Sequence, residues 1–300
     1  MPPPYDITFI GHMCYDEITT PDKPEPVIAP GSAVLCGAMA AVRTGKRTAA
    51  IVRMAPEDEH ILQPMRDAGV EVLLIPSQQT TYSRVIHESH DVDDRRLILT
   101  RDAGFFTMQD VAELESRHVH LAGISDREFT VDFVRQMAER DWALSTDIQS
   151  FVRQVNLATR EIAFCDVPAK REICQCLNML KLDIVEARII TGLDDLSEAA
   201  AKLISWGVDE VLITESKGVL ANVGGREYYE PFSNRSSIGR TGRGDTPFAS
   251  YACRRADHGP GESLKFAAAL VSLKMESEGP FRGTIDDVFE RMRQCHSYAE

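Results

Sequence analysis

The chain has 300 residues and a net charge of −13, with 33 Lys and Arg against 46 Asp and Glu. That balance argues against a general nucleic-acid or anionic-membrane binder, because both need a basic surface. Apolar residues make up 43% and charged residues 26%, a globular composition, and no apolar run approaches the ~20 residues that span a bilayer.

Short apolar runs alternate with helix-length segments along the chain. Ile7 to Ile10 is expected as a first buried strand ending at Gly11, and Ala33 to Arg43 as a small-residue helix stopped at Gly45. Strands follow at Ala49 to Val52 and Val70 to Ile75, separated by a helical pattern from Glu57 to Asp67 that Pro64 interrupts. Later strands are expected at Val119 to Leu121, Ala143 to Thr146, Asp183 to Val185 and Val208 to Thr214, with helices between them, one being Ser197 to Trp206 closed by Gly207. Three helix patterns finish the chain: Asp245 to Asp257, Gly261 to Ser277 and Ile285 to Gln294. Such alternation implies a mostly parallel sheet covered on both faces. Residues 14–28 and 80–100 depart from it. They alternate polar and β-branched residues, as small antiparallel strands do, with a hairpin expected around Asp91 to Asp94. Strands inserted in this way suggest a lid over a ligand site.

Seven cysteines, an odd number, follow a start (Met-Pro-Pro-Pro-Tyr-Asp) that lacks the regions of a secretory signal, so reduced thiols in the cytoplasm are expected. Cys165, Cys174 and Cys176 lack the paired spacing of a zinc site and are expected as ordinary thiols. His118 and His120 share one face of a strand without a third ligand. His87 and His90 fall in the expected hairpin, and Trp142 and Trp206 are expected to pack.

The most informative stretch runs from Gly239 through Thr241, Gly242, Arg243, Gly244 and Asp245 to Phe248. Glycines permit tight turns and close backbone approach. Pro247 fits the first turn of a helix, so the glycine turn opens one. Unpaired amides at such a helix start suit an anion, most often phosphate. Asp245 at its mouth is placed to accept a proton from an attacking hydroxyl, or simply to cap the helix. No Lys-Ser or Lys-Thr follows the last glycine, as a P-loop requires.

This stretch resembles the C-terminal signature of the ribokinase-like PfkB family of carbohydrate kinases, Asp-Thr-x-Gly-Ala-Gly-Asp-x-Phe, at Gly242, Gly244 and Asp245, with Phe248 close behind. The resemblance implies a three-layer α/β/α sandwich over residues 1–300, as one domain with a mostly parallel central sheet and a small β-strand lid. It implies Asp245 as catalytic base and Gly242, Arg243 and Gly244 as the anion hole. Gly239 replaces the motif's first Asp, which argues against a monovalent-cation site beside it. Arg243 replaces Ala and adds a guanidinium that points either to phosphate or to solvent.

Leu182-Asp183-Ile184-Val185-Glu186 is similar to the family's Asn-x-x-Glu motif, so Asp183 and Glu186 are implied to position Mg²⁺ through water, unless they only complement a helix start. Asp16, Gly31 and Ser32 resemble the family's substrate contacts, with Leu35 standing where Asn is usual. Thr214 and Gly218 resemble its ATP loop, with Ser216 in place of the middle Gly. The resemblance implies ATP-dependent phosphorylation of a small sugar, polyol, cyclitol or nucleoside. The open edges of the expected lid strands suggest that two copies pair there as a homodimer. Two other classes stay open: a catalytically silent relative that binds a nucleoside, sugar or regulatory partner, and a dehydrogenase. The missing dinucleotide fingerprint after the first strand speaks against the dehydrogenase.

Overall fold

The computed structural model describes residues 4–89, 95–239 and 241–296. The hairpin turn expected at Asp91 to Asp94, His90 and Arg240 lie outside the described residues. The first strand is β1 (Ile7–His12), whose six residues are all buried. The chain leaves for β2 (Cys14–Thr20) and β3 (Lys23–Gly31), then returns through α1 (Ala33–Val42) and β4 (Thr48–Met54). The small residues of α1 have a packing reason. A Cβ on Gly37 would lie 2.7 Å from the Phe9 ring, so glycine lets this helix press onto β1.

The segment expected as one interrupted helix is a 3₁₀ turn, Pro56–Leu62, followed by the short α2 (Gln63–Asp67). Pro64 sits in the first turn of α2, where its missing N–H has no helical acceptor to lose. Then come β5 (Glu71–Pro76) and the hairpin of β6 (Thr81–His87) with β7 (Arg95–Arg101). A 3₁₀ turn at Met108–Val111 precedes β8 (His118–Leu121), α3 (Val131–Ala138), β9 (Ala143–Asp147) and α4 (Gln149–Val152). The two-stranded β10 (Arg153–Val155) and β11 (Ile162–Phe164) follow, then α5 (Lys170–Gln175), β12 (Met179–Asp183), α6 (Ile184–Thr191), α7 (Leu196–Ser205) and β13 (Glu210–Thr214). β14 (Gly218–Val223) and β15 (Arg226–Pro231) extend the sheet, and α8 (Asp245–Arg255), α9 (Pro260–Met275) and α10 (Ile285–His296) end the described chain.

The expected strand at Asp183 to Val185 is corrected. The strand ends at Asp183, and Ile184 already belongs to α6. The cause is a capping box: the Asp183 carboxylate accepts from the Glu186 amide at 2.8 Å, and Glu186 accepts from the Asp183 amide at 2.9 Å. The hairpin β14–β15 was not anticipated.

Nine strands form one sheet in the order β15-β14-β13-β12-β9-β8-β1-β4-β5, parallel from β5 to β13 and antiparallel for the last two. One buried core packs α1, α8 and α9 on one face, and a second packs α3, α5, α6 and α7 on the other. This is the ribokinase-like α/β/α sandwich. The strands beside β1 diverge, with β4 on one side and β8 on the other, so the strand order reverses there. Such a switch point opens a crevice at the carboxyl ends of the strands. A four-stranded sheet, β3-β2-β6-β7, leaves the body at that same end. It is mixed and not wholly antiparallel, because β2 and β6 run parallel.

The seven cysteines are free. Cys174 is buried, and Cys165 and Cys176 are half-buried. Among the described residues no helix is long and apolar enough to cross a membrane.

Candidate active site

The carboxyl ends of β9, β12 and β13 bring Asp147, Asp183 and Thr214 to one edge. Their register is direct: Lys181 lies opposite Asp147, and Asp183 opposite Thr214. Lys181 is buried within β12. Its ammonium donates to Asp147 at 2.6 Å and stands 3.8 Å from the Asp245 carboxylate at the start of α8. Burial alone would pull the Lys181 ammonium down. The carboxylates of Asp147, Asp245 and Glu186 more than offset this, so it is held charged above the ordinary lysine range.

The glycine turn rests on this lysine. A Cβ on Gly244 would lie 2.8 Å from Lys181 Nζ and 3.9 Å from Thr214 Oγ1. Gly242 has φ +76°, and a Cβ there would meet Cys36 Sγ at 2.3 Å. Glycine is therefore required at 242 by both conformation and contact. The Thr246 amide and hydroxyl both return to the Gly242 carbonyl, at 3.2 and 2.8 Å, which closes the turn into α8. The helix amides ahead of Thr246 are those without intrahelical acceptors. The Cys36 thiol lies beneath, and burial together with the Asp245 charge pushes it up to about 12.

Asp16 lies on β2, half-buried, facing the end of β3. A Cβ on Gly31 would approach Asp16 Oδ2 to 2.1 Å, so Gly31 makes room for that carboxylate. The Cys14 thiol donates to Asp16 at 3.5 Å, and burial raises the Asp16 carboxyl above the usual range. The Ser32 hydroxyl is committed elsewhere: it caps α1, accepting from the Leu35 amide at 2.9 Å, and donates to Met13 Sδ at 3.4 Å. Cys36 feels the charges of both Asp16 and Asp245, so both carboxylates lie near the first turn of α1.

Glu186 is fully buried. One oxygen completes the capping box, and the other takes Arg153 Nη2 at 3.3 Å. Asp183, at the sheet edge, is more open. Among the described residues no group of three or more His, Cys, Asp or Glu could hold a metal ion directly. Mg²⁺ that arrives on donor phosphates and keeps several waters needs only one or two carboxylates, which fits Asp183 with Glu186 behind it. Gly218 begins β14 under Tyr229, and its carbonyl accepts from the Glu215 amide at 3.0 Å, so the Thr214–Gly218 segment is a tight hairpin.

Four residues here were not singled out from sequence as site residues: Asp147, Arg153, Lys181 and Lys274. Arg153 acts electrostatically on both Asp16 and Glu186, and its Nε is buried without a hydrogen-bond partner. Lys274, on α9, donates to the carbonyls of Gly239 and Thr241 in the glycine turn. The available signal was a single lysine inside each of two apolar runs, Met179-Leu180-Lys181-Leu182 and Leu270 to Met275.

An α/β sandwich with a glycine turn opening a helix at the strand-end crevice, and a carboxylate at its mouth, defines the class of small-molecule phosphotransferases. The sequence matches the pfkB family of carbohydrate kinases over residues 5–285. It is 25% identical over 249 residues to a cytidine kinase from Thermococcus kodakarensis, covering 80% of this chain and 84% of that one. A ribokinase-family structure described as a pyrophosphate-dependent kinase, complexed with a pyrophosphate analogue and myo-inositol, is 31% identical with TM-score 0.87, covering 95% of this chain and 99% of that one. Arabidopsis thaliana ribokinase with ribose and ATP shares the fold at 18% identity and TM-score 0.75, over 98% of this chain and 99% of that one. The chain belongs to the pfkB family of carbohydrate kinases and is a phosphotransferase of ribokinase-like fold.

Proposed function

We propose that the chain transfers the terminal phosphoryl group of pyrophosphate to a hydroxyl of a cyclitol or related polyol. The observation that carries this reading is the glycine turn at the start of α8, with Asp245 at its mouth and the buried Lys181 ammonium at its base. In the step, the acceptor oxygen attacks the terminal phosphorus and its proton passes to Asp245. The bridging P–O bond breaks and orthophosphate leaves. The amides of Gly242, Arg243 and Gly244 offset the charge on the transferring group. Asp16, with Gly31 beside it, accepts hydrogen bonds from acceptor hydroxyls, while Ser32 contributes through the cap of α1. Asp183, with Glu186 behind it, would hold Mg²⁺ through water, and the ion would supply charge neutralisation of the donor phosphates.

Pyrophosphate is favoured over ATP for a physical reason as well as by similarity to the pyrophosphate-dependent relative. A donor without a nucleoside must draw its affinity from its phosphates, and so from fixed cations. This chain places Arg243 in the turn and the Lys181 ammonium against Gly244. ATP is the second reading, favoured by Thr214 beside Gly244 and by the hairpin ending at Gly218. The small sheet covers the acceptor, and its edge strand β3, with Val27 and Ile28 about half exposed, is where a second copy would pair.

The test is a matrix of donors (pyrophosphate, ATP, ADP) against acceptors (myo-inositol and other cyclitols, ribose, fructose, cytidine). Pyrophosphate with a cyclitol is expected to give the highest kcat/KM. A tenfold preference for ATP assigns the nucleotide as donor. Asp245→Asn is expected to lower kcat about 10³-fold with little change in donor affinity. Wild-type activity in a folded Asp245→Asn protein would overturn the mechanism. Ligand-induced thermal shifts without turnover by any pair would favour the catalytically silent relative.

A further inference from the structure

We infer that the Lys274 ammonium is a built-in cation that holds the phosphate-binding turn in shape, at the place where the family motif's first Asp, here Gly239, would border a monovalent-cation site. The inference rests on the proposed role of the turn. Lys274 lies in the last turn of α9 and is fully buried. Its Nζ donates to the carbonyls of Gly239 and Thr241, which lead directly into Gly242. Its side chain also runs beneath that glycine: a Cβ on Gly242 would lie 3.9 Å from Lys274 Cε.

Burial pulls the Lys274 ammonium below the ordinary lysine range, and the Asp245 charge acts against that pull. A buried ammonium is costly unless its donors are satisfied. Here backbone carbonyls satisfy it, and carbonyl oxygens are also what an alkali ion takes from a protein loop.

The residues present do not fit an additional monovalent ion. The ammonium already sits on two carbonyls of the turn. An acidic side chain at 239, as in the family motif, is excluded by packing: a Cβ there would fall 1.8 Å from the Ser277 carbonyl oxygen and 2.8 Å from that of Lys274. Gly239 is further fixed by its amide, which donates to the Met275 carbonyl at 2.9 Å. The end of α9 therefore supplies both the cation and the surface on which the turn is seated. Lys274 is a positioning residue, since it acts through the turn and not on the reacting atoms.

The test compares wild type, Lys274→Ala and Lys274→Met in potassium, ammonium, methylammonium and choline chlorides at one ionic strength, reading both Tm and kcat. Wild type is expected to vary less than twofold in kcat and to hold its Tm. Lys274→Ala, with space for an ion, is expected to lose about 100-fold in kcat in choline. Potassium, ammonium or methylammonium should restore it at least tenfold and raise its Tm. Lys274→Met fills the space without charge and should not respond. A wild type that loses tenfold or more when potassium is withdrawn would overturn the inference, whatever the variants do. So would a folded Lys274→Ala whose Tm ignores the cations, or a Lys274→Met with wild-type kcat. If wild type turns over no donor–acceptor pair, the kinase reading fails, and the cation-selective Tm of Lys274→Ala still decides this question.

Discussion

Replacing Lys181 with Met removes a positive charge from between two carboxylates while keeping the volume. The ammonium is 2.6 Å from Asp147 and 3.8 Å from Asp245. At an effective dielectric constant of about 20 the gross attractions are roughly 6 and 4 kcal/mol. Desolvation of the buried charges cancels much of this, so the net cost of deleting one partner is expected at about 3–5 kcal/mol, the price of leaving Asp147 buried and unpaired. For a chain of this length that corresponds to a fall in Tm of roughly 6 °C. The defect should depend on pH. Burial pushes the Asp147 carboxyl upward, and in the variant no ammonium opposes it. A carboxyl raised in the folded state stabilises below its unfolded pKa, and that contribution is lost as pH rises through the folded value. Urea unfolding at pH 5 and pH 7 should therefore show a smaller deficit at pH 5. Adding Asp147→Asn should return part of the loss, giving a double-mutant coupling above about 1 kcal/mol. A Lys181→Met protein within about 1 kcal/mol of wild type at pH 7 would refute the reasoning, and so would additive losses in the double variant.

Gly31→Ala should press a methyl group onto the Asp16 carboxylate, where only 2.1 Å separates them. The expected outcome is an acceptor KM raised at least about tenfold with donor KM unchanged, read by steady-state kinetics. His118 and His120 both meet the Ser145 hydroxyl, at 2.7 and 2.9 Å, and burial lowers both, His118 to about 4. Neutral histidine is thus favoured in the folded state, so stability should be full above about pH 6.5 and fall as pH drops toward 4. His118→Gln should flatten that slope by up to about 1.4 kcal/mol per pH unit in urea melts, and an unchanged slope would count against this assignment. Val27→Asp with Ile28→Asp should convert a dimer to a monomer in sedimentation, and a monomeric wild type would remove the lid pairing.

The sequence carried the sheet because its punctuation is local. Gly45, Gly69 and Gly207 each lie just past a helix, although β1 runs through Gly11 to His12 where an end was expected, and the expected helices at 245–257 and 261–277 contain α8 and all but the first residue of α9. Where two local signals overlap, the reading slipped. Asp183 ends a strand and caps a helix at once, and the apolar Ile184 and Val185 made the strand look longer than it is. The hairpin of β14 and β15 was missed, although Gly224 and Gly225 at its turn both have positive φ and were its best signal.

The site divides in the same way. Asp245 and its glycines are contiguous, so a motif reaches them. The groups that charge and hold the turn are not contiguous with it: Lys181 comes from β12 and Lys274 from α9. Each looks like an interruption of an apolar run until the fold supplies its partner. The physical rule that would have found both is that a lysine at a buried position must satisfy its charge. In a chain of net charge −13, two such lysines converging on one turn are hard to ascribe to packing alone. Lys181 offsets the Asp147 and Asp245 carboxylates beneath the turn, and Lys274 satisfies the carbonyls that lead into it, at the place where the proposed mechanism has to receive a polyanion.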